Sequence, residues 1–138
     1  MNWLQENAIT LLLLAGFAIL LQRGPLMAKM AGVQHLDVHE LAKRLASSSP
    51  PLLLDVRSQQ EYKGGHAPQA LLIPLGDLRD RLEEVKRQAS SRPVAVICRS
   101  GNRSIYGAVL LKRSGITQVF NISGGMLDWQ AQGYPVRS

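Results

Sequence analysis

Val94-Ala95-Val96-Ile97-Cys98-Arg99-Ser100-Gly101-Asn102-Arg103-Ser104 places the chain's only cysteine between an apolar, mostly β-branched run and a short polar loop. Ile105, Ala108 and Val109 then recur at helical spacing. Lys112 and Arg113 close that helix and Gly115 follows it. The pattern predicts Cys98 at the carboxyl end of a buried strand, with its loop opening into a helix N-terminus. Backbone N–H groups of such a loop can curl round a sulfur as an anion-binding nest. The helix adds roughly half a positive charge, and Arg99 and Arg103 add full ones. A free thiol titrates near about 8.5, and surroundings of this kind lower that to roughly 3.5–7.5. Cys98 is therefore expected to be a thiolate at neutral pH, and a nucleophile. The alternative is a small buried hydrophobe that ends a strand, as many lone cysteines do. The coincidence of strand, cysteine, glycine-bearing loop and helix start favours the nucleophile.

The elements that must position this stretch can be read along the chain. Val33-Gln34-His35-Leu36 alternates like a short strand. Asp37 precedes Glu40 at capping-box spacing, and Leu41, Ala42 and Leu45 give a helical face. Leu52-Leu53-Leu54 is all apolar, as suits a strand covered on both faces. It delivers Asp55-Val56-Arg57 at its carboxyl end, where sites gather in open parallel sheets. Asp55 and Arg57 thus either shape the pocket or hold neighbouring loops through ion pairs and hydrogen bonds, and the supporting role is favoured. His66 lies in a turn after Gly64-Gly65 and is expected to be structural, with a Cys98–His66 dyad as the open alternative. His35 and His39 read as surface residues. Leu71-Leu72-Ile73 is a strand stopped by Pro74, and Gly76–Gln88 reads as one amphipathic helix with a solvated face. Val119–Ile122 is a last strand, and Ser123-Gly124-Gly125 turns into a short helix, Met126–Ala131, carrying Trp129. Strands that alternate with helical patterns predict βαβ units and an α/β fold with a parallel sheet.

At these motifs the chain resembles the rhodanese-type sulfurtransferases, over about Val33 to Val136. Cys98 to Ser104 is similar to that family's active-site loop. Asp55-Val56-Arg57, Glu61-Tyr62 and Gly65-His66 resemble its second signature, and Gly124-Gly125-Met126 with Trp129 its third. The resemblance implies a five-stranded parallel sheet with helices on both faces. It implies a cysteine that takes a sulfane sulfur from thiosulfate or a persulfide donor and passes it to a thiol or cyanide. Arg99 would attract the small anionic donor first, with Arg103 second or bracing the loop. The backbone of Arg99, Ser100, Gly101, Asn102, Arg103 and Ser104 would hold the persulfide. A low-turnover sulfur carrier or regulatory module at the membrane is the alternative. Phosphatases and arsenate reductases of similar fold have a loop one residue longer, and phosphatases carry a histidine where Ile97 stands here. Both departures count against that chemistry.

Composition narrows the partners. The 138 residues suit one domain, and 16 Lys+Arg against 10 Asp+Glu leave a net charge of +6. That balance suits an anionic membrane surface or small anionic substrates. There is no Lys/Arg run and little aromatic interleaving, so nucleic acid is not an expected partner. A lone cysteine leaves no internal disulfide and no resolving thiol. The acceptor is then external, a low-molecular-weight thiol or a thioredoxin-like protein. No Cys/His cluster offers a metal site, and no cofactor is expected.

Ala8–Leu21 is uncharged and almost wholly apolar. Extended back to Trp3, it approaches the roughly 20 residues that cross a bilayer, with Trp3 as an interfacial anchor. No basic residue precedes it and no clean cleavage triplet follows, unlike a secretory signal. The expected organisation is an N-terminal transmembrane anchor over 1–22, a linker over 23–32 marked by Gly24, Pro25 and Gly32, and the catalytic domain over 33–138. Arg23 and Lys29 follow the apolar run while Glu6 precedes it, so the positive-inside rule puts the domain in the cytoplasm of a single-pass membrane protein.

Overall fold

The computed structural model describes residues 2–138. Met1, the first residue of the expected anchor, lies outside them. A short helix, α1 (Trp3–Glu6), is capped by Asn2 and breaks at Asn7, and a long helix, α2 (Ala8–Ala31), follows. Then come β1 (Gln34–Leu36), α3 (Val38–Leu45), β2 (Leu52–Asp55), α4 (Gln59–Lys63), β3 (Leu71–Leu72) and α5 (Leu75–Leu78). The chain ends with α6 (Leu82–Ala89), β4 (Val94–Ile97), α7 (Arg103–Arg113), β5 (Val119–Ile122) and α8 (Gly125–Ala131). The five strands form one parallel sheet in the order β1-β5-β4-β2-β3.

β4 lies at the centre, and its side chains divide by the period of two that a strand imposes. Val94, Val96 and Cys98 face one core layer with Ile105, Ala108, Val109, Leu78 and Val85. Ala95 and Ile97 face the other layer with Leu41, Phe120, Met126 and Trp129. Helices α5, α6 and α7 therefore cover one face, and α3 and α8 cover the other. Every residue of β2, β4 and β5 is buried, which is why these strands read as continuous apolar runs rather than alternating ones.

Two boundaries differ from expectation. Residues 23–31 are not a linker: α2 runs unbroken through Pro25 and stops only at Gly32, whose φ of 82° makes a left-handed cap. Tertiary packing overrides the breaker residues here. Gly24 and Ala28 are buried against α7, Ala28 completely, and a helix docked along a small-residue stripe keeps its ladder despite one missing N–H. The expected single helix over Gly76–Gln88 is instead α5, a 3-10 turn at Arg79–Arg81, and α6. By length and composition α2 can cross a membrane: its most apolar window has a mean hydropathy of 1.7 and is 6 % buried.

Candidate active site

The sheet's parallel strands all point their carboxyl ends at one edge, and three of them deliver the site. β4 leads into Cys98, β2 ends on Asp55, and β5 leads into the Ser123-Gly124-Gly125 turn. Cys98 is 1 % exposed. The loop bends back over it through Gly101, whose φ of 99° is open to glycine. The Gly101 N–H donates to Cys98 Sγ at 3.1 Å, and Sγ lies 3.3 Å from Ser104 Oγ at the start of α7.

Burial by itself would push the Cys98 thiol up. Hydrogen bonds from the Ser104 hydroxyl and from the backbone N–H groups of Ser104, Gly101 and Ser100 outweigh it, so the thiol is held below its ordinary value. The lowering comes from these short-range donors, where the sequence pointed equally to the arginine charges. Arg99 is exposed on the rim. Arg103 turns away to make a two-pronged ion pair with Glu61, Nη1–Oε1 2.7 Å and Nη2–Oε2 2.8 Å. Of the two arginines named from sequence, Arg99 is exposed, while Arg103 is half-buried and held by Glu61. Asn102 and Ser100 are exposed, while Gly101 and Ser104 are buried.

The loop's shape is fixed from both sides. On one side, Asp55 is fully buried and holds Arg57 Nε and Nη2 at 3.0 and 2.8 Å. Arg57 Nη2 also donates to the Gly65 carbonyl at 2.9 Å. These contacts hold neighbouring loops, and Arg57 also lines the cavity beside the Cys98 loop. His66 is likewise structural: its Nδ1 lies 2.8 Å from the Tyr62 carbonyl and its ring stacks on Tyr62. On the other side, the N–H groups of Met126 and Leu127 in α8 donate to the carbonyls of Cys98 and Arg99 at 2.8 and 3.0 Å. That approach requires Gly125. A Cβ there would stand 2.4 Å from the Cys98 carbonyl oxygen, and its φ is 52°.

Sequence reasoning missed three residues. Glu61 holds Arg103 and also caps α4 reciprocally with Ser58. Asn121 is a buried polar residue in β5 whose Oδ1 accepts from Ser104 Oγ at 2.5 Å and whose Nδ2 lies 3.2 Å from His35 Nδ1. A polar chain therefore runs from Cys98 through Ser104 and Asn121 to His35, which is a surface residue as expected but whose contact with Asn121 was not foreseen. The available signal was Asn121 itself, a polar residue inside an otherwise apolar strand. A cavity of about 250 Å³ beside the loop is lined by Arg57, Gly65, Arg99, Met126, Leu127 and Gln130. A larger depression, about 570 Å³, lies at the opposite edge around Lys86, Arg92 and Thr117, and none of its lining residues is a cysteine or histidine. Among the described residues no cluster of His, Cys, Asp and Glu could hold a metal ion.

Comparison with known proteins places this geometry among others. The family described as "Rhodanese-like domain" matches residues 37–132. A sulfurtransferase of Allochromatium vinosum is 34 % identical over 104 residues, covering 75 % of this chain and 94 % of that protein. The crystal structure of a rhodanese-like domain protein from Staphylococcus aureus is 29 % identical, with a TM-score of 0.66, covering 77 % of this chain and all of that one. A human single-domain sulfurtransferase is 26 % identical, with a TM-score of 0.62, covering 72 % of this chain and 97 % of that one.

Proposed function

The chain belongs to the rhodanese-like family, and from that membership we propose that it is a sulfurtransferase working through a persulfide on Cys98. The supporting observation is the sulfur's own environment: a buried Cys98 Sγ faced by N–H groups and by Ser104, at the carboxyl edge of the sheet. Donors fixed in place before reaction stabilise an anion there without reorganising.

The donor is thiosulfate or a persulfide. Its anionic group meets Arg99 on the rim. The Cys98 thiolate attacks the outer sulfur, a new S–S bond forms, and the old S–S bond breaks with its electron pair leaving on sulfite. The outer sulfur of the Cys98 persulfide takes the place in the nest that the thiolate held. A thiolate or cyanide then attacks that outer sulfur, and Cys98 leaves as thiolate. The two half-reactions give ping-pong kinetics.

The test is mass spectrometry of the full chain after thiosulfate treatment. One added sulfur atom on Cys98, absent in Cys98→Ser, is expected. No added sulfur, or release of phosphate from an aryl phosphate, overturns the proposal. Loading without turnover to any thiol would make the chain a carrier rather than an enzyme. Arg99→Ala is expected to raise KM for thiosulfate more than it lowers kcat, and unchanged kinetics would remove Arg99 from donor binding.

The same proposal places α2 in a bilayer. Ala8–Leu21 carries no charge and is exposed on all sides, and a helix apolar all round suits lipid. Arg23 and Lys29 after the span, with Glu6 before it, put the catalytic domain on the cytoplasmic side.

A further inference from the structure

The direction in which α2 meets the domain has a consequence for the active site. All strands run toward the edge that carries Cys98, so α7, which follows β4, runs away from it. α2 precedes β1 and must also end at the far edge. Two contacts fix the alignment. Gly24 lies against Tyr106 and Ile105 near the start of α7, where a Cβ would be 3.5 Å from Tyr106 Oη. Gly32 lies against Lys112 near the end of α7, where a Cβ would be 3.5 Å from Lys112 Cε. The two helices are therefore parallel and in step. The part of α2 before Gly24 projects beyond the edge of the sheet that carries Cys98, not beyond the opposite one.

The heights can be matched. Arg103, the first residue of α7, stands about one turn, roughly 5 Å, above Tyr106. It is thus level with about Leu21 on α2. Leu21 is the last residue of the apolar run, and Gln22 and Arg23 begin the polar part. There is no slack between the two, because 23–31 is helix docked on α7 rather than a flexible tether. The apolar run is also short: Ala8–Leu21 spans about 21 Å against a hydrocarbon thickness of about 30 Å, which draws the flanking residues toward the interface. Exposed Arg99, Arg23 and Tyr106 on this side suit a layer of anionic headgroups.

We propose that α2 holds the catalytic edge of the domain against the bilayer, so that the acceptor is a thiol carried at the membrane surface rather than one on a bulky soluble protein. This deepens the sulfurtransferase function above and rests on it. A folded protein such as a thioredoxin cannot enter a gap of headgroup depth, whereas thiosulfate and a thiol standing at the surface can. In the transfer step the surface thiolate attacks the outer sulfur of the Cys98 persulfide. The bond to Cys98 Sγ breaks, its electron pair stays on Cys98, and the acceptor becomes the persulfide, with no net oxidant or reductant.

Gln118 and Ser123 are exposed residues that flank the two ends of β5, so a reporter at each reads the two edges of one strand. The full chain, in a Cys98→Ser background with either Ser123→Cys or Gln118→Cys, is labelled with a fluorophore and reconstituted in phosphatidylcholine–phosphatidylglycerol vesicles carrying a headgroup energy acceptor. Strong transfer from position 123 and much weaker transfer from 118 is expected. Equal or reversed transfer overturns the orientation while leaving the span intact. A chain that stays in the aqueous fraction on flotation overturns the span, and the orientation with it. In a second arm the unsubstituted chain, already shown by mass to carry sulfur on Cys98, is placed in vesicles with a headgroup-thiol lipid or with reduced serum albumin outside. Discharge to the lipid thiol at least tenfold faster than to an equal concentration of the albumin thiol is expected. Equal rates overturn the choice of acceptor, and failure of Cys98 to load at all is instead the failure of the sulfurtransferase function.

Discussion

Ser104 has one hydroxyl proton and two claimants. Asn121 Oδ1 accepts it at 2.5 Å, and Cys98 Sγ stands 3.3 Å away on the other side. When Cys98 is a thiol its S–H can donate to Ser104 Oγ, but a thiolate needs the serine proton for itself. Two substitutions should then move the thiol in opposite directions. Ser104→Ala removes the donor and shifts the pH midpoint of Cys98 alkylation upward. Asn121→Ala removes the competitor, frees the proton for sulfur and shifts the midpoint downward. Midpoints that move together would show that the chain from Cys98 to His35 has no part in the thiol's ionisation. Cys98 and its loop were legible in the sequence because type, spacing and local structure all agreed there. Asn121 and His35 were not, because a hydrogen bond between strands far apart in the chain leaves no local periodicity. Arg103 was legible as a charge, with bracing the loop as the alternative, but its partner Glu61 was not, since it lies on another element.

Glu61 joins elements as much as residues. Its carboxylate holds Arg103 on α7 while its capping bonds with Ser58 start α4. The guanidinium of Arg103 holds the Glu61 carboxyl down at about 2, against an ordinary 4.5. A carboxylate lowered in this way contributes its stability in full above about 4.5, and that stability is lost as pH falls through about 2. Glu61→Gln should therefore cost about 1 kcal/mol near neutral pH, as part-exposed ion pairs do. The gap in Tm to the unsubstituted chain should close as pH approaches 2. A gap that persists at acid pH would assign the loss to the α4 cap instead. The α8 contact is stricter. Gly125→Ala forces a Cβ into the Cys98 carbonyl at 2.4 Å, and that neighbour is backbone. The expected result is several kcal/mol lost, about 2–4 by the range for core overpacking with backbone strain, and sulfur loading lost with it. Unchanged stability would show that α8 can withdraw from the loop at little cost. At this scale the helix over 76–88 was misjudged, because its apolar spacing is compatible with a 3-10 turn as well as with a straight helix.

The parallel direction and the two core layers follow from buried strands that alternate with amphipathic helices and were legible as a class, while the strand order comes from the structure alone. What was not legible is how α2 joins the domain. Pro25 directly after Gly24 reads locally as a break, and the buried face of Gly24 and Ala28 against α7 explains the unbroken helix. Replacing that contact tests it. Ala28 is fully buried, so Ala28→Leu should overpack the seam by about 1–3 kcal/mol. Amide exchange in α7 should speed up near Ile105 to Val109. Exchange left unaltered would show that α2 rests on the domain without supporting it.

The strand order also sets a sequence of events in time. β1 comes straight after α2, yet its only neighbour is β5, the last strand to be made. At about 5–20 residues per second, roughly 4–17 seconds of synthesis separate Leu36 from Ile122. Through that interval β1 waits unpaired, while the helix before it has already emerged. The newborn chain thus carries its first strand well before it owns a closed cysteine pocket, which forms only once β5 has been made and the sheet is complete.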